Sequence, residues 1–149
     1  MHDKEIQYFS EGLNLAKYEF YLDAIHKFNM LIDEFAQSDL ADDALYNIGL
    51  CYFKMKQFEL AIEIFNQVIT NYPDANISAL DNGNEFGLIS AKCFYGIFLS
   101  HLALGKVKKA ELVINELKSF NKNTYVIVEN EKRSYKDLSI ELLNKYKTK

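Results

Sequence analysis

The sequence predicts an all-α fold, a right-handed solenoid of about three helix pairs closed by a C-terminal capping helix. The 149 residues include one proline and six glycines, which indicates few turns and mostly helix. Apolar residues recur with a helical period, and the first pair is predicted to span residues 3–18 and 21–35. The third observation is a repeat in which residues recur 37 positions later: Gly12 and Gly49, Ala24 and Ala61, Phe28 and Phe65.

Residues 44–75 form the second predicted helix pair and carry the clearest pattern. In chain order they contain Leu45, Ile48, Gly49, Tyr52, Ala61, Phe65 and Pro73. This order resembles the tetratricopeptide repeat, in which small residues let two helices cross closely. The stretch SDLADDALYNIGLCYF resembles the extended repeats of bacterial Tol–Pal-associated and outer-membrane assembly proteins. Such a helix pair buries its apolar faces only between neighbours, so the resemblance implies a stacked, protein-binding scaffold.

The whole chain, residues 1–149, is predicted to be one domain. Its expected parts are repeat one (5–38), repeat two (42–75), a loop (76–88), repeat three (89–119) and a C-terminal cap (120–149). We take Gly96 as the third-repeat counterpart of Gly12 and Gly49. The spacing from Gly96 to Ala110 is 14 residues, whereas the other two repeats have 12, so the first helix of repeat three is expected to be longer or shifted.

The predicted cap contains one helix that covers the exposed side of the last repeat. Ser134 and Asp137 have the spacing of a capping box. The helix that follows places Tyr135, Leu138, Leu142 and Tyr146 on one face. Before it, residues 124–128 are β-branched and aromatic, and they suit either a short strand or an irregular helix start.

The charges and the absence of long apolar segments limit the kind of protein. The net charge is −4, but residues 1–88 carry five basic against fifteen acidic side chains, and residues 89–149 carry twelve against six. This asymmetry either serves only solubility or lets the two halves attract partners or each other. The sequence shows no signal peptide and no apolar run of about 18 residues. We therefore expect a cytoplasmic protein without membrane insertion.

No residue pattern in the chain indicates an enzyme, a metal site or a cofactor. His2, His26 and His101 lack the spacing of metal ligands. Cys51 and Cys93 lie in predicted helices without a nearby cysteine, and we expect both to be small buried residues. Nucleic acid is disfavoured as a partner because the acidic first half would repel phosphates. We predict a non-catalytic protein without cofactors.

The family resemblance implies that the first helix of each repeat lines a concave groove. Aligning repeats one and two on their glycines places these residues there: Phe9, Ser10, Leu13, Lys17, Asp43, Tyr46, Asn47, Leu50 and Lys54. Further groove positions in this alignment are Ile6 and, counted from Gly96, Ser90, Phe94, Ile97 and His101. An apolar floor with tyrosine and asparagine suits a peptide or helix of another protein. The alternative is that Phe9 and Leu13 belong partly to the core.

Two functions remain open from the sequence. The first is a scaffold that binds a partner protein, and the alternative is a homo-oligomeric assembly protein joined through its solenoid ends or its acidic and basic halves. Repeat proteins of this family that hold the C-terminal carboxylate of chaperones use lysine, asparagine and arginine at five positions. Only Asn47 matches that set, whereas Ile6, Ser10, Ser90 and Phe94 do not. A co-chaperone role of that type is therefore disfavoured.

Overall fold

The computed structural model describes residues 3–78, 80, 83–120 and 123–148. Within these residues the chain forms seven helices and three short strands. The helices are α1 (Asp3–Lys17), α2 (Tyr21–Glu34), α3 (Ala41–Lys54), α4 (Phe58–Asn71), α5 (Ile89–Ala103), α6 (Val107–Leu117) and α7 (Tyr135–Lys147). The strands are β1 (Glu85–Phe86), β2 (Tyr125–Val128) and β3 (Glu131–Arg133). Among the described residues, no helix is both long and apolar enough to span a membrane.

The first six helices form three stacked pairs, which confirms the predicted all-α solenoid. Each helix packs on the next one along the chain. A Cβ atom on Gly12 would lie 2.5 Å from Cε1 of Phe28, and one on Gly49 would lie 2.7 Å from Cε1 of Phe65. Both phenylalanines are almost completely buried. The glycines therefore let the two helices of a pair approach closely over an aromatic ring.

The turns inside the three helix pairs share one geometry. Glu19, Lys56 and Gly105 each follow the first helix of a pair and have φ values of 68°, 62° and 74°. Each donates its N–H to the carbonyl three residues earlier, and the following residue donates to the carbonyl five residues before it, over 2.8 to 3.0 Å. This is the Schellman arrangement that ends a helix. Lys56 and Gly105 are 49 residues apart. The third repeat therefore follows the second by 49 residues, and not by the 47 residues that separate Gly49 from Gly96.

The alignment of the third repeat on Gly96 is therefore wrong. With an offset of 49, Ala110 corresponds to Ala61 and Ile114 to Phe65. Gly96 instead packs against the preceding repeat, because a Cβ atom there would lie 2.6 Å from Cε2 of Phe65. The helix face that α5 turns toward the concave side consequently differs from the predicted one.

Residues 76–88, predicted as a loop, leave the stack and return to it through a strand. Asn76 and Leu88 form a bridge where the segment leaves and re-enters. Strand β1 pairs antiparallel with β2, and β2 pairs with β3, so the sheet order is β1-β2-β3. Gly87 has a φ of 102°, and a Cβ atom on it would lie 2.5 Å from Cα of Thr124. A glycine is needed here because another backbone passes at contact distance.

The C-terminal segment forms a hairpin followed by the expected capping helix. The 124–128 stretch is a strand rather than a helix start, and Glu129 and Asn130 form the tight turn with φ values of 51° and 67°. Ser134 accepts a hydrogen bond from the backbone N–H of Asp137 over 3.0 Å, which confirms the predicted cap at the start of α7. Helix α7 packs on α5 and α6 through buried residues that include Leu143.

Candidate functional site

Five of the predicted groove residues line one cavity between α1 and α3. They are Leu13, Lys17, Asn47, Leu50 and Lys54, and the cavity measures about 220 Å³. Leu13 and Leu50 are half-buried, and the two lysines are exposed. Because both lysines lie at the C-terminal ends of their helices, they also complement the helix dipoles. The first two repeats thus provide an apolar floor with a basic border.

The other predicted groove residues have different positions. Phe9 is completely buried against the ring of Phe28, with centroids 5.9 Å apart, so it belongs to the core. Asp43 is also completely buried, and its Oδ1 accepts the backbone N–H of Ser78 over 3.0 Å. Ser10 is exposed on α1. Tyr46 is 6% exposed, and its ring lies 5.5 Å from that of Phe65.

Asn47 has a structural contact as well as a place in the cavity. Its Nδ2 atom donates a hydrogen bond to the backbone carbonyl of Asp43 over 2.8 Å, and its side chain is buried. This bond lies within the first turns of α3, where it holds the amide against the helix. Asn47 therefore presents little surface, while Leu50 and Lys54 carry the accessible part of this helix face.

The third repeat contributes residues that the alignment on Gly96 missed. Ser90 and Ile97, which that alignment placed in the groove, are buried, and Phe94 packs against Phe120 with ring centroids 6.0 Å apart. The residues of α5 that reach the concave side are Lys92, Tyr95 and Leu99, which follow Asp43, Tyr46 and Leu50 by 49 positions. The same offset between Ala61 and Ala110 was the signal in the sequence that could have located them.

A second cavity continues the apolar surface from α3 to α5. It measures about 190 Å³ and is lined by Leu50, Phe53, Tyr95, Leu99 and Leu138, with further residues of β2 and α7. Phe53 and Leu99 also line a third cavity of about 330 Å³, which reaches Leu102, Ala103, Leu142, Lys145 and Tyr146. Neighbouring cavities share lining side chains, so the three adjoin one another in a row. We call this row of cavities the concave groove and define it by Leu13, Leu50, Phe53, Leu99 and Leu142.

The β-sheet closes one side of the concave groove. Val126 and Val128 of β2 line the second cavity beside Tyr46 and Tyr95. Glu85 of β1 forms an ion pair with Lys92, which is 5% exposed. The Nζ atom of Lys92 also lies 4.3 Å from the ring centroid of Tyr46. The charge of Lys92 is thus already compensated by a carboxylate and an aromatic face of the same chain.

Tyr135, at the start of α7, lies beside this ion pair between the sheet and the stack. Burial raises the pKa of its hydroxyl, and the nearby Glu85 carboxylate adds to the increase. Its ring lies 5.4 Å from that of Tyr95. Sequence reasoning missed this arrangement because it depends on pairing between segments about 40 residues apart, which helical periodicity does not report.

Three further side chains were candidates for chemistry: Cys51, Cys93 and His101. Cys51 and Cys93 are buried and not disulfide-bonded, as expected, and burial raises the pKa of the Cys51 thiol to about 11. Burial lowers the pKa of His101, and the charges of Lys109 and Lys106 lower it further. Within the described residues, no group of three or more histidine, cysteine, aspartate or glutamate side chains is arranged to hold a metal ion.

Comparison with known proteins agrees with this geometry. Residues 43–75 match the model of the tetratricopeptide repeat family. The fold is a solenoid of tetratricopeptide-like helix pairs. The matched range covers α3 and α4, the pair with the clearest sequence pattern, whereas repeats one and three are identified by their packing and their turns. The search of curated proteins finds no match.

Two solved structures with tetratricopeptide or co-chaperone descriptions resemble the whole chain. The Hsp90 co-chaperone Cns1 from Saccharomyces cerevisiae matches with a TM-score of 0.68 and 12% identity over 99% of this chain. The chain spans 41% of the length of that Cns1 chain. The second tetratricopeptide domain of human RPAP3, solved with the HSP70 peptide SGPTIEEVD, matches with a TM-score of 0.61 and 19% identity over 98% of this chain and 97% of that one. At these identities the likeness concerns the fold.

Proposed function

We propose that this protein is a non-catalytic interaction scaffold that holds a segment of a partner protein in its concave groove. The observation that carries the proposal is the row of adjoining cavities with apolar linings, to which all three repeats and α7 contribute. Leu50 connects the first two cavities, and Phe53 and Leu99 connect the second and third. A single partner segment in an extended or helical conformation can contact all of them at once.

The border of the concave groove indicates the chemistry of that segment. Lys17, Lys54 and Lys145 lie along it, one each from α1, α3 and α7. A bound segment with apolar side chains toward Leu50 and Leu99 and with carboxylates along one flank would satisfy both features. The apolar contacts would supply most of the affinity, and the lysines would direct approach and orientation.

The structural relatives support a peptide as the ligand, since the RPAP3 domain was solved with an HSP70 peptide and Cns1 is an Hsp90 co-chaperone. A chaperone C-terminus is nevertheless not the ligand we propose. When the third repeat is aligned with an offset of 49 residues, Asn47 and Lys92 lie at two of the five positions that hold a chaperone carboxylate in repeat proteins of that type. Gly96 lies at a third of these positions and carries no charge. Lys92 is paired with Glu85. We therefore propose an internal segment of the partner rather than a free C-terminal carboxylate.

The experiment that tests this proposal measures mass and partner capture on the same sample. Light scattering at low and high salt gives the oligomeric state, and affinity capture from a lysate of the source cell retains the partner, whose contact segment is then mapped with overlapping peptides. A monomer that retains one stoichiometric partner through an acidic, apolar segment supports the proposal. An oligomer that dissociates in salt and captures nothing would support the alternative, self-association through the acidic and basic halves. The likeness to Tol–Pal-associated and outer-membrane assembly proteins, and a cytoplasmic location, stay predictions.

A further inference from the structure

A second recess lies away from the concave groove, at the N-terminal end of α3. It opens between the turn that follows α2 and the segment that follows α4, and it measures about 450 Å³. We call it the acidic cleft. Its polar lining consists of Gln37, Ser38, Asp39, Asp42, Tyr72, Asp74 and Asn76. Among the residues that the structure describes, three carboxylates and no lysine or arginine line it.

Asp42 distinguishes this cleft from an ordinary acidic surface. Its side chain is buried, with 4% exposure, and its Oδ2 atom has no hydrogen-bond partner among the described residues. Burial raises the pKa of its carboxyl to about 6, although the backbone N–H groups of Asp42 and Asp43 act in the opposite direction. A carboxylate that is desolvated without a cationic partner is energetically unfavourable. Other acids in the first repeats do have such partners: Glu34 lies 3.1 Å from Lys4, and Glu11 lies 2.9 Å from Lys27.

Three helix ends meet at the cleft. Helices α2 and α4 end at Glu34 and Asn71, immediately before the residues that line the cleft. Their C-terminal ends carry partial negative charge and add to the field of the three carboxylates, whereas the N-terminal end of α3 carries partial positive charge that partly offsets this field and stabilises the Asp42 carboxylate. The neighbouring titratable groups facing Asp42 are Asp39, Tyr72 and Cys93. Tyr72 and Cys93 have raised pKa values and are neutral near pH 7, so neither opposes a cation.

We propose that the acidic cleft binds the guanidinium group of an arginine side chain presented by a partner protein. A guanidinium is planar, weakly hydrated and able to donate two parallel hydrogen bonds to one carboxylate, which suits a partly desolvated Asp42 better than a strongly hydrated ammonium. The ring of Tyr72 offers an aromatic edge or face beside it. The site is independent of the concave groove, with which it shares none of its lining residues.

The test uses blocked arginine as the probe and its uncharged analogue as the control. N-acetyl-arginine amide is titrated into the ¹⁵N-labelled full chain and followed by NMR. We expect saturable shifts of the amides around Asp42 and Asn76, with a dissociation constant on the order of 1 mM for this single side chain. N-acetyl-citrulline amide, which has the same shape without the charge, should produce no saturable shift there. Equal binding of the citrulline probe, or no shift at the cleft with arginine, overturns the proposal.

Three further measurements test the proposal, and two of them use the unmodified protein, so the proposal stays testable if a variant is altered in structure. Asp42→Asn should weaken arginine binding at least tenfold, whereas the matched change Asp23→Asn, in the exposed first turn of α2, should leave it unchanged. In the unmodified protein, affinity should rise about tenfold from pH 5 to pH 7.5, because Asp42 must ionise before it can pair. Affinity that does not change with pH contradicts the role of Asp42. Tighter binding of N-acetyl-lysine amide than of the arginine probe contradicts the choice of guanidinium.

The same titration separates this inference from the proposed function. Leu50→Glu, which places a charge in the concave groove, should leave arginine binding at the cleft intact. If the groove proposal fails, the cleft still binds arginine, and if the cleft proposal fails, the groove still binds its segment.

Discussion

Replacing Asp42 with asparagine should stabilise the protein at neutral pH. The folded state raises the pKa of this carboxyl from 3.8 to about 6. The folded state therefore binds the proton more tightly than the unfolded chain, and the free energy of unfolding falls as pH rises from about 4 to about 6. A shift of two units corresponds to about 3 kcal/mol. Water in the adjoining cleft screens part of the charge. We therefore expect the substitution to raise the free energy of unfolding by about 1–2 kcal/mol at pH 7.

The assay is urea denaturation followed by circular dichroism at pH 4 and pH 7. Asparagine retains an oxygen that accepts the backbone N–H bonds at the start of α3, so the fold should be unchanged. The free energy of unfolding of the variant should equal that of the original protein at pH 4 and should exceed it at pH 7. A variant that is less stable at pH 7, or a difference of equal size at both pH values, would refute the reasoning about this buried carboxylate.

Three further substitutions test the packing. Gly49→Leu should destabilise the fold by about 1–3 kcal/mol or more, because the new side chain collides with Phe65; a neutral result by urea denaturation would contradict the helix crossing. Lys56→Gly should stabilise it by about 0.5–1 kcal/mol, since glycine adopts the positive φ of 62° without strain. A lower melting temperature of this variant in thermal denaturation would contradict the positive φ at this turn. Glu85→Gln should cost about 3–5 kcal/mol by leaving Lys92 buried without its carboxylate, and unchanged stability to urea would show that the pair is not buried in solution.

The repeats could be predicted because their signals are local. The offset of 37 residues between Gly12 and Gly49 and between Phe28 and Phe65 reflects a helix crossing that each pair builds from its own residues. The start of α7 was predictable for the same reason, because the bond between Ser134 and Asp137 lies within one turn. The third repeat was misaligned because Gly96 was taken to face its own pair, whereas it makes room for Phe65 of the preceding one.

The sheet and half of the groove needed the structure. The pairing of β1 with β2 brings together segments about 40 residues apart, and each strand alone is too short to show alternation. Residues at groove positions also differ in depth. Leu50 is accessible, whereas Phe9 and Asp43 are completely buried. A repeat pattern assigns a helix face but does not report which side chains on that face are covered by the neighbouring helix or by an insertion.

The measurement that tests the central claim most directly is the affinity of the mapped partner segment for two matched variants. Leu50→Glu places a carboxylate at the junction of two cavities of the concave groove, and Leu112→Glu makes the same change at an exposed position on α6. By isothermal titration calorimetry, the groove variant should bind the segment at least tenfold more weakly, and the α6 variant should bind it as the original protein does. Equal binding by both variants, with both folded, would contradict the claim that the concave groove holds the partner.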